Sequence, residues 1–312
     1  MRKLETLITA SRRATENQEY NDTAGIQDEE FIQYLNDGQE EIQALINQSF
    51  PHILMRVKEV SVSLGQESYQ IPADVYLGTR IDFVEFTQSG NPTNYYPLKK
   101  GSVKERLNGI QTDPSFYIRN GNLIYLEPTP QTSGSKIRLT YQKVIPTLDI
   151  IRATVESVTL DTVNRTITAL KLDDTVNMDT TALLEQNYMT VVDKYGAVKM
   201  QGIPVTSISS SGVVTLDAGF IYETGESISP GDYVCRGKYS SNYSQLPDVT
   251  EKYLLEYCNT RILVRDSSSD ADSVAQLLAK IQTTIQTAFA EPDNDPDYVP
   301  ILDGQYLGWD SF

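Results

Sequence analysis

From Asp28 to Phe50 the chain reads DEEFIQYLNDGQEEIQALINQSF, and its apolar residues Phe31, Leu35, Ile42, Leu45 and Ile46 keep a three-and-four spacing that skips one turn between Leu35 and Ile42. That spacing predicts a helix with a single apolar face, carrying Gly38 between two clusters. Glu29, Glu30, Glu40, Glu41 and Gln43 fall on the wetted face, Asp28 is placed to cap the first amides, and Pro51 closes the far end. A helix this amphipathic needs a partner. The other strong helical pattern, from Asp248 to Phe289, lies about 200 residues downstream. If the two pack together, everything between them is an insertion into a helical body, and that middle reads as β.

The 312 residues are enough for two or three domains. With 19 tyrosines against 8 phenylalanines, many rings are expected half-buried with a wet hydroxyl. No run of 18 apolar residues occurs, so no transmembrane helix is expected. The opening MRKLETLITASRRATEN is not read as a signal peptide, because Glu5 and Thr6 interrupt its apolar run. Cys235 and Cys258 are too few for a disulfide framework and too far apart for a metal knuckle, so buried free thiols are expected. The formal charge of −16 argues against a protein that grips nucleic acid, since that grip needs cation-rich surfaces. It is compatible with a wall past which DNA slides without sticking.

Along the chain, residues 1–20 give a short helical pattern around Leu4, Leu7 and Ile8, and Ile26 is placed to pack back on the start of the main helix. After Pro51 the period changes. Val60 and Val62 alternate with polar residues, Gly65 marks a turn, and Tyr69 and Ile71 continue the alternation. Strands follow at 80–86, 115–119, 122–127 and 136–143, with Asn120-Gly121 as a hairpin signal. The pattern predicts a sandwich or small barrel. A less regular stretch, 95–108, holds the basic cluster Lys99, Lys100, Lys104 and Arg106. It reads as a solvated loop or short helix, or as a contact with an acidic neighbouring subunit.

A second β region runs from Val155 to about Arg236. It contains a hairpin across Asn164, another across Tyr195-Gly196, a pair at 204–208 and 213–216, and a turn at Pro230-Gly231 feeding a last strand. A second small barrel or sandwich is expected there, with 173–186 as a loop or short helix. Helical pattern resumes at 253–264 and 274–289, broken at 266–270, where Asp270 is a fair cap. Beyond Glu291 the prolines at 292, 296 and 300 forbid a helix. This segment still carries Tyr298, Val299, Ile301, Leu302, Tyr306, Leu307, Trp309 and Phe312, the anchors of an extended arm. The fold class expected is therefore α+β. A helical body (1–57 and 245–290) carries two inserted antiparallel β domains (58–150 and 151–244) and an extended C-terminal docking arm (291–312).

Chemistry finds little purchase. With His52 as the single histidine, neither a usual zinc site nor several common hydrolase triads can be built around another imidazole. No P-loop, G-x-S-x-G or G-x-G-x-x-G is present. Asp293, Asp295 and Asp297 lack the glycine turn and twelfth-place glutamate of a calcium loop. A pair of carboxylates could hydrolyse a glycoside, but among 42 acidic residues chance supplies such pairs freely. No catalytic residue, cofactor or metal is expected.

Several phrases carry a resemblance: Tyr34-Leu35-Asn36-Asp37-Gly38-Gln39, then Tyr69-Gln70-Ile71-Pro72-Ala73-Asp74, then Pro114 through Leu126-Glu127-Pro128-Thr129-Pro130 and Ile137-Arg138-Leu139-Thr140-Tyr141. With Glu251-Lys252-Tyr253-Leu254 through Arg265-Asp266, they resemble the head-to-tail adaptor (connector, neck-ring) proteins of short-tailed bacteriophages, over roughly residues 1–145 and 245–290. The resemblance implies a virion structural protein, assembled in the bacterial host cytoplasm. It would sit in the neck as a ring of about a dozen copies, joining portal to tail and lining the channel that carries genomic DNA. The second β region departs from simpler members, which carry one insertion, and leaves open a platform for fibres or a further ring.

Within that picture Tyr298, Ile301, Leu302, Tyr306, Leu307, Trp309 and Phe312 are expected to dock on the portal or a neighbour. Lys99, Lys100, Lys104 and Arg106 would meet an adjoining subunit, and Glu29, Glu30, Glu40 and Glu41 would face the channel. The rival readings are a receptor- or carbohydrate-binding module of a tail fibre, which the long helical segments at both ends oppose, and a cell-wall glycosidase.

Overall fold

The computed structural model describes residues 2–15, 26–72, 74–78, 80–87, 94–102, 113–131, 134–173, 178–217, 219–222, 226–266 and 272–289. Among these, five α-helices form: α1 (Leu4–Ala14), α2 (Asp28–Ser49), α3 (Thr180–Glu185), α4 (Asp248–Arg265) and α5 (Asp272–Ala288). Four of them, α1, α2, α4 and α5, close around one apolar cluster. Phe31, Leu35, Ile42 and Ile46 of α2 meet Leu4 and Leu7 of α1, Leu254, Cys258 and Ile262 of α4, and Ile281 and Ile285 of α5, all buried. Each such side chain, fully removed from water, contributes about 1.5–3 kcal/mol before the entropy of ordering is subtracted. The apolar stripe read from the sequence is therefore the face that meets α4 and α5.

Two local expectations fail. Asp28 does not cap α2; it is the first helical residue and pairs with Arg12 of α1 at 2.6 Å, while Gln27 stands at the cap position without a side-chain bond. The Arg12 guanidinium also lies over the Phe31 ring, 4.6 Å from its centroid. Gln43, assigned to the wet face, is buried. Its position flanks the apolar stripe, and it faces backbone instead of water. The Asp270 cap falls outside the described residues.

After α2, Pro51–Leu54 makes a 3-10 turn and the chain enters strands β1 (Met55–Ser61), β2 (Ser68–Gln70), β3 (Ile81–Thr87), β4 (Tyr95–Pro97), β5 (Lys99–Lys100), β6 (Phe116–Asn120), β7 (Leu123–Glu127) and β8 (Lys136–Gln142). They form two four-stranded sheets, ordered β1-β8-β3-β4 and β2-β7-β6-β5. Phe86, Ile124, Leu126, Ile137, Leu139 and Tyr141 fill a second core. The β6–β7 hairpin pairs Asn120 with Leu123, so its two turn residues are Gly121 and Asn122, and Gly121 takes the positive φ (+59°) that this position demands. The part of 95–108 that is described is extended, not loop or helix. β4 pairs with β3, and β5 runs parallel to β6.

The chain then passes through β9 (Thr147–Leu148) into β10 (Ala153–Asp161), β11 (Thr166–Leu172), α3, β12 (Tyr188–Val192), β13 (Val198–Ile208), β14 (Val214–Leu216) and β15 (Tyr233–Arg236), leaving through β16 (Ser240–Ser241). Strands β10 to β15 make one six-stranded sheet ordered β11-β10-β15-β12-β13-β14. Its outer strands come together: Leu172 N–H donates to Gly212 O at 2.9 Å, and Lys171 bridges Val213. The sheet thus curls into a small barrel around Val155, Leu172, Met189, Val191, Met200 and Val234, with Leu183 of α3 in the same core. β13 is one long strand that serves both the hairpin across Tyr195-Gly196 and the pair predicted at 204–208 and 213–216. The strands leading in and out, β9 and β16, pair in parallel, Thr147 opposite Ser240 and Leu148 opposite Ser241.

Candidate functional site

The three cores meet where the chain runs from β8 through β9 toward β10, and α2 holds that connection by side-chain amides. Asn36, Gln39 and Gln43 sit three and four residues apart, so they project from one side of the helix. Asn36 accepts from Leu148 N–H (2.7 Å) and donates to Leu148 O (3.0 Å), as a neighbouring β-strand would. Gln39 donates to Pro146 O at 2.7 Å. Gln43 donates to Lys143 O (2.8 Å) and accepts from Ile145 N–H (3.1 Å). The helix thereby supplies hydrogen bonds to a buried extended segment that would otherwise lose them. In the sequence the row shows only as amide residues flanking an apolar stripe, with no sign of what they bind.

Beyond β9 lies a buried charged cluster. Arg152 binds Asp149 through Nη2 at 2.8 Å and Asp179 through Nη1 at 2.8 Å. Asp149 Oδ2 also accepts the Arg236 amide at 2.7 Å, and Asp179 caps α3 by accepting from Ala182 N–H at 3.0 Å. One arginine therefore ties the chain leading into the barrel to α3, and its carboxylate partner Asp149 to the last barrel strand. Burial pushes the neighbouring Cys235 thiol well above its usual range, which leaves it protonated and unreactive. Cys258 is likewise free, buried and raised, to about 12.

Between sandwich and barrel runs a cleft of two adjoining chambers that share Gln201, Glu226 and Tyr239 in their walls. The chamber of about 360 Å³ has Val144, Phe220 and Ile221 in its lining, together with Lys58, Lys238 and Asp74. The chamber of about 630 Å³ is lined by Arg56, Lys143 and Lys199 among others. Asp74 is held by Arg56 (2.7 Å) and the Tyr141 hydroxyl (2.9 Å), and Lys199 by Asp232 (3.0 Å). Burial, then the nearby Arg56 charge, pushes the Lys143 ammonium down. Burial and Asp74 lift the Tyr239 phenol to about 12. In a chain of net charge −16, this is a concentration of cations on facing walls.

The residues picked from the sequence are scattered by comparison. Glu29, Glu40 and Glu41 are exposed on α2. Glu30 differs from them. It pairs with Arg265 of α4 at 3.1 Å and accepts from the Tyr34 hydroxyl at 3.0 Å, so part of the proposed channel face is spent on holding two helices together. Lys99 and Lys100 are exposed on the short strand β5, whereas Lys104 and Arg106 lie outside the described residues. So do Tyr298, Ile301, Leu302, Tyr306, Leu307, Trp309 and Phe312, and the aspartates at 293, 295 and 297. His52 is exposed in the 3-10 turn, edge-on to Phe50 at 6.2 Å. Among the described residues no group of three or more His, Cys, Asp or Glu side chains is arranged to hold a metal, and no helix is long and apolar enough to cross a membrane.

A family model described as SU10 adaptor protein matches residues 2–176, more than half of the chain. The matched stretch takes in α1, α2, the whole sandwich and the first two barrel strands. No curated protein matches the chain.

Proposed function

The chain belongs to the SU10 adaptor protein family, and on that premise we propose that it is a structural protein of a short-tailed phage virion, placed in the neck as a head-to-tail adaptor. In this reading copies of the chain close into a ring that binds the portal on one side and tail components on the other, and genomic DNA passes through the lumen without sequence-specific contact. The protein carries no chemistry of its own.

The domain division proposed with it assigns 1–57 and 245–290 to a helical body, 58–150 and 151–244 to two inserted β domains, and 291–312 to a docking arm. The observation that supports it best is the shared core of α1, α2, α4 and α5, formed by segments about 200 residues apart. A wedge of this kind closes into a ring when it repeats head to tail with a fixed rotation. Exposed Lys99 and Lys100 suit a contact with the next, acidic copy, and exposed Glu29, Glu40 and Glu41 suit a wall that repels phosphate. Electron microscopy of the purified protein, alone and mixed with portal, tests the reading. Closed rings stacked on the portal are expected; trimers would turn the assignment toward a tail-fibre module, and an inert monomer would overturn it.

A further inference from the structure

We infer that the cleft between sandwich and barrel is the seat of the acidic C-terminal segment of this polypeptide, residues 291–312. The walls of the larger chamber bring together Arg56, Lys143 and Lys199, and the smaller adds Lys58 and Lys238 beside the apolar Phe220 and Ile221. Ile221 is 55% exposed, a large apolar side chain left open to solvent. The segment has the matching order of properties. Glu291, Asp293, Asp295 and Asp297 come first, with no lysine or arginine anywhere from 291 to 312, and Tyr298, Val299, Ile301 and Leu302 follow.

Asp74 and Glu226 also line the cleft and lower its net positive charge. Asp74 is already engaged by Arg56 and by the Tyr141 hydroxyl. Lys143 is crowded by burial and by Arg56, so an incoming carboxylate relieves a like-charge repulsion there. The place where the described chain stops fits as well. The Phe289 ring packs on Phe50 with centroids 6.0 Å apart, and Phe50 precedes by five residues Met55, which lines the larger chamber. The eight residues from 290 to 297 extend up to about 28 Å at ~3.5 Å each, so the acidic run reaches well beyond this point. The chambers hold a stretch of the segment, its acidic run and first apolar residues, and leave the end with Trp309 outside.

This rests on the proposed function for the rest of the arm: it takes Tyr298, Ile301 and Leu302 into the cleft and leaves portal docking to Tyr306, Leu307, Trp309 and Phe312. It fails separately from that role, because ring formation and portal binding are read by other measurements. The test uses the full chain with its single tryptophan moved into the docked stretch, Trp309→Phe with Tyr298→Trp. Emission at low salt is expected to be blue-shifted and about threefold less quenched by acrylamide than a free peptide of residues 290–302 carrying the same Tyr298→Trp change. Both differences are expected to vanish in 1 M salt. Replacing Asp293, Asp295 and Asp297 by lysine is expected to free the reporter. Adding Lys58→Glu and Lys238→Glu is expected to restore protection. Dilution to nanomolar concentration tells the sources apart: protection that persists supports the chain's own segment, and protection that is lost means a second copy's segment and overturns the proposal. A reporter as exposed as in the free peptide, or one indifferent to all charge changes, overturns it.

Discussion

Gly38 of α2 and Tyr257 of α4 approach so closely that a Cβ on the glycine would lie 2.7 Å from the tyrosine Cδ1. The sequence shows only a glycine between two apolar clusters; the structure shows it as the point where the two remote helices touch. Alanine in mid-helix gains about 1 kcal/mol over glycine, but overfilling a packed contact costs about 1–3. Tyr257 is buried, with Leu254 beside it, so the ring has little room to move. Gly38→Ala is expected to lower stability by roughly 1 kcal/mol in urea unfolding. In a Tyr257→Leu background the same substitution is expected to stabilise, because only the helix preference remains.

Gln43 serves Lys143 O and Ile145 N–H together, and Gln43→Leu removes the partner of both groups. Each unmet group costs about 1–3 kcal/mol. A loss of about 2–4 kcal/mol is expected, with the Ile145 amide among the first in the junction to exchange with deuterium.

Gly212 closes the barrel, and a Cβ there would meet the Leu172 carbonyl oxygen at 2.2 Å on a backbone held at φ +80°. Backbone cannot rotate aside as a side chain can. Gly212→Ala is expected to cost about 3 kcal/mol or more, and to do so locally: hydrogen exchange should accelerate at Leu172 and its neighbours while α2 and α4 stay protected.

Glu59 of β1 accepts from Lys136 Nζ at 2.8 Å and from the Tyr95 hydroxyl at 2.7 Å, and these bonds, Lys136 first, hold its carboxyl down at about 2 against a usual 4.5. A depressed carboxylate contributes stability that is complete above pH 4.5 and fades as pH falls through about 2. The side chain is 39% exposed, so solvent screens the pair and the contribution is small. The stability gap between the protein and Glu59→Gln is expected to be widest above pH 4.5 and to narrow steadily toward pH 2. A gap that is flat across that interval would remove the assignment.

Deleting residues 292–312 is expected to leave a soluble, folded protein with the far-ultraviolet dichroism of its helices and strands. Sedimentation with portal should then show attachment lost. Attachment at undiminished strength would count against the arm as the docking element.

What sequence made legible follows from what periodicity encodes. The stripe Phe31, Leu35, Ile42, Ile46 reports a buried face, and alternation with Gly-marked turns reports strands, so the helices and most β hairpins were readable. Partnership is another matter. Nothing local says that Asn36, Gln39 and Gln43 bind backbone 100 or more residues away, since an amide on a helix flank reads the same against water or against a carbonyl. The cleft was equally hidden. Its cations come from Arg56 and Lys58 on one strand and from Lys143, Lys199 and Lys238 far along the chain, whereas Lys99 and Lys100 of the visible basic cluster lie on an edge strand.

The side-by-side course of β9 and β16 brings the entrance and the exit of the barrel to one place. With Thr147 opposite Ser240, the polypeptide departs and rejoins within about one interstrand spacing, ~4.8 Å. A lineage could acquire or discard the whole module through a splice of one or two residues, keeping the grip of α2 on the incoming segment. The shared core of α1, α2, α4 and α5 would be left untouched by either event.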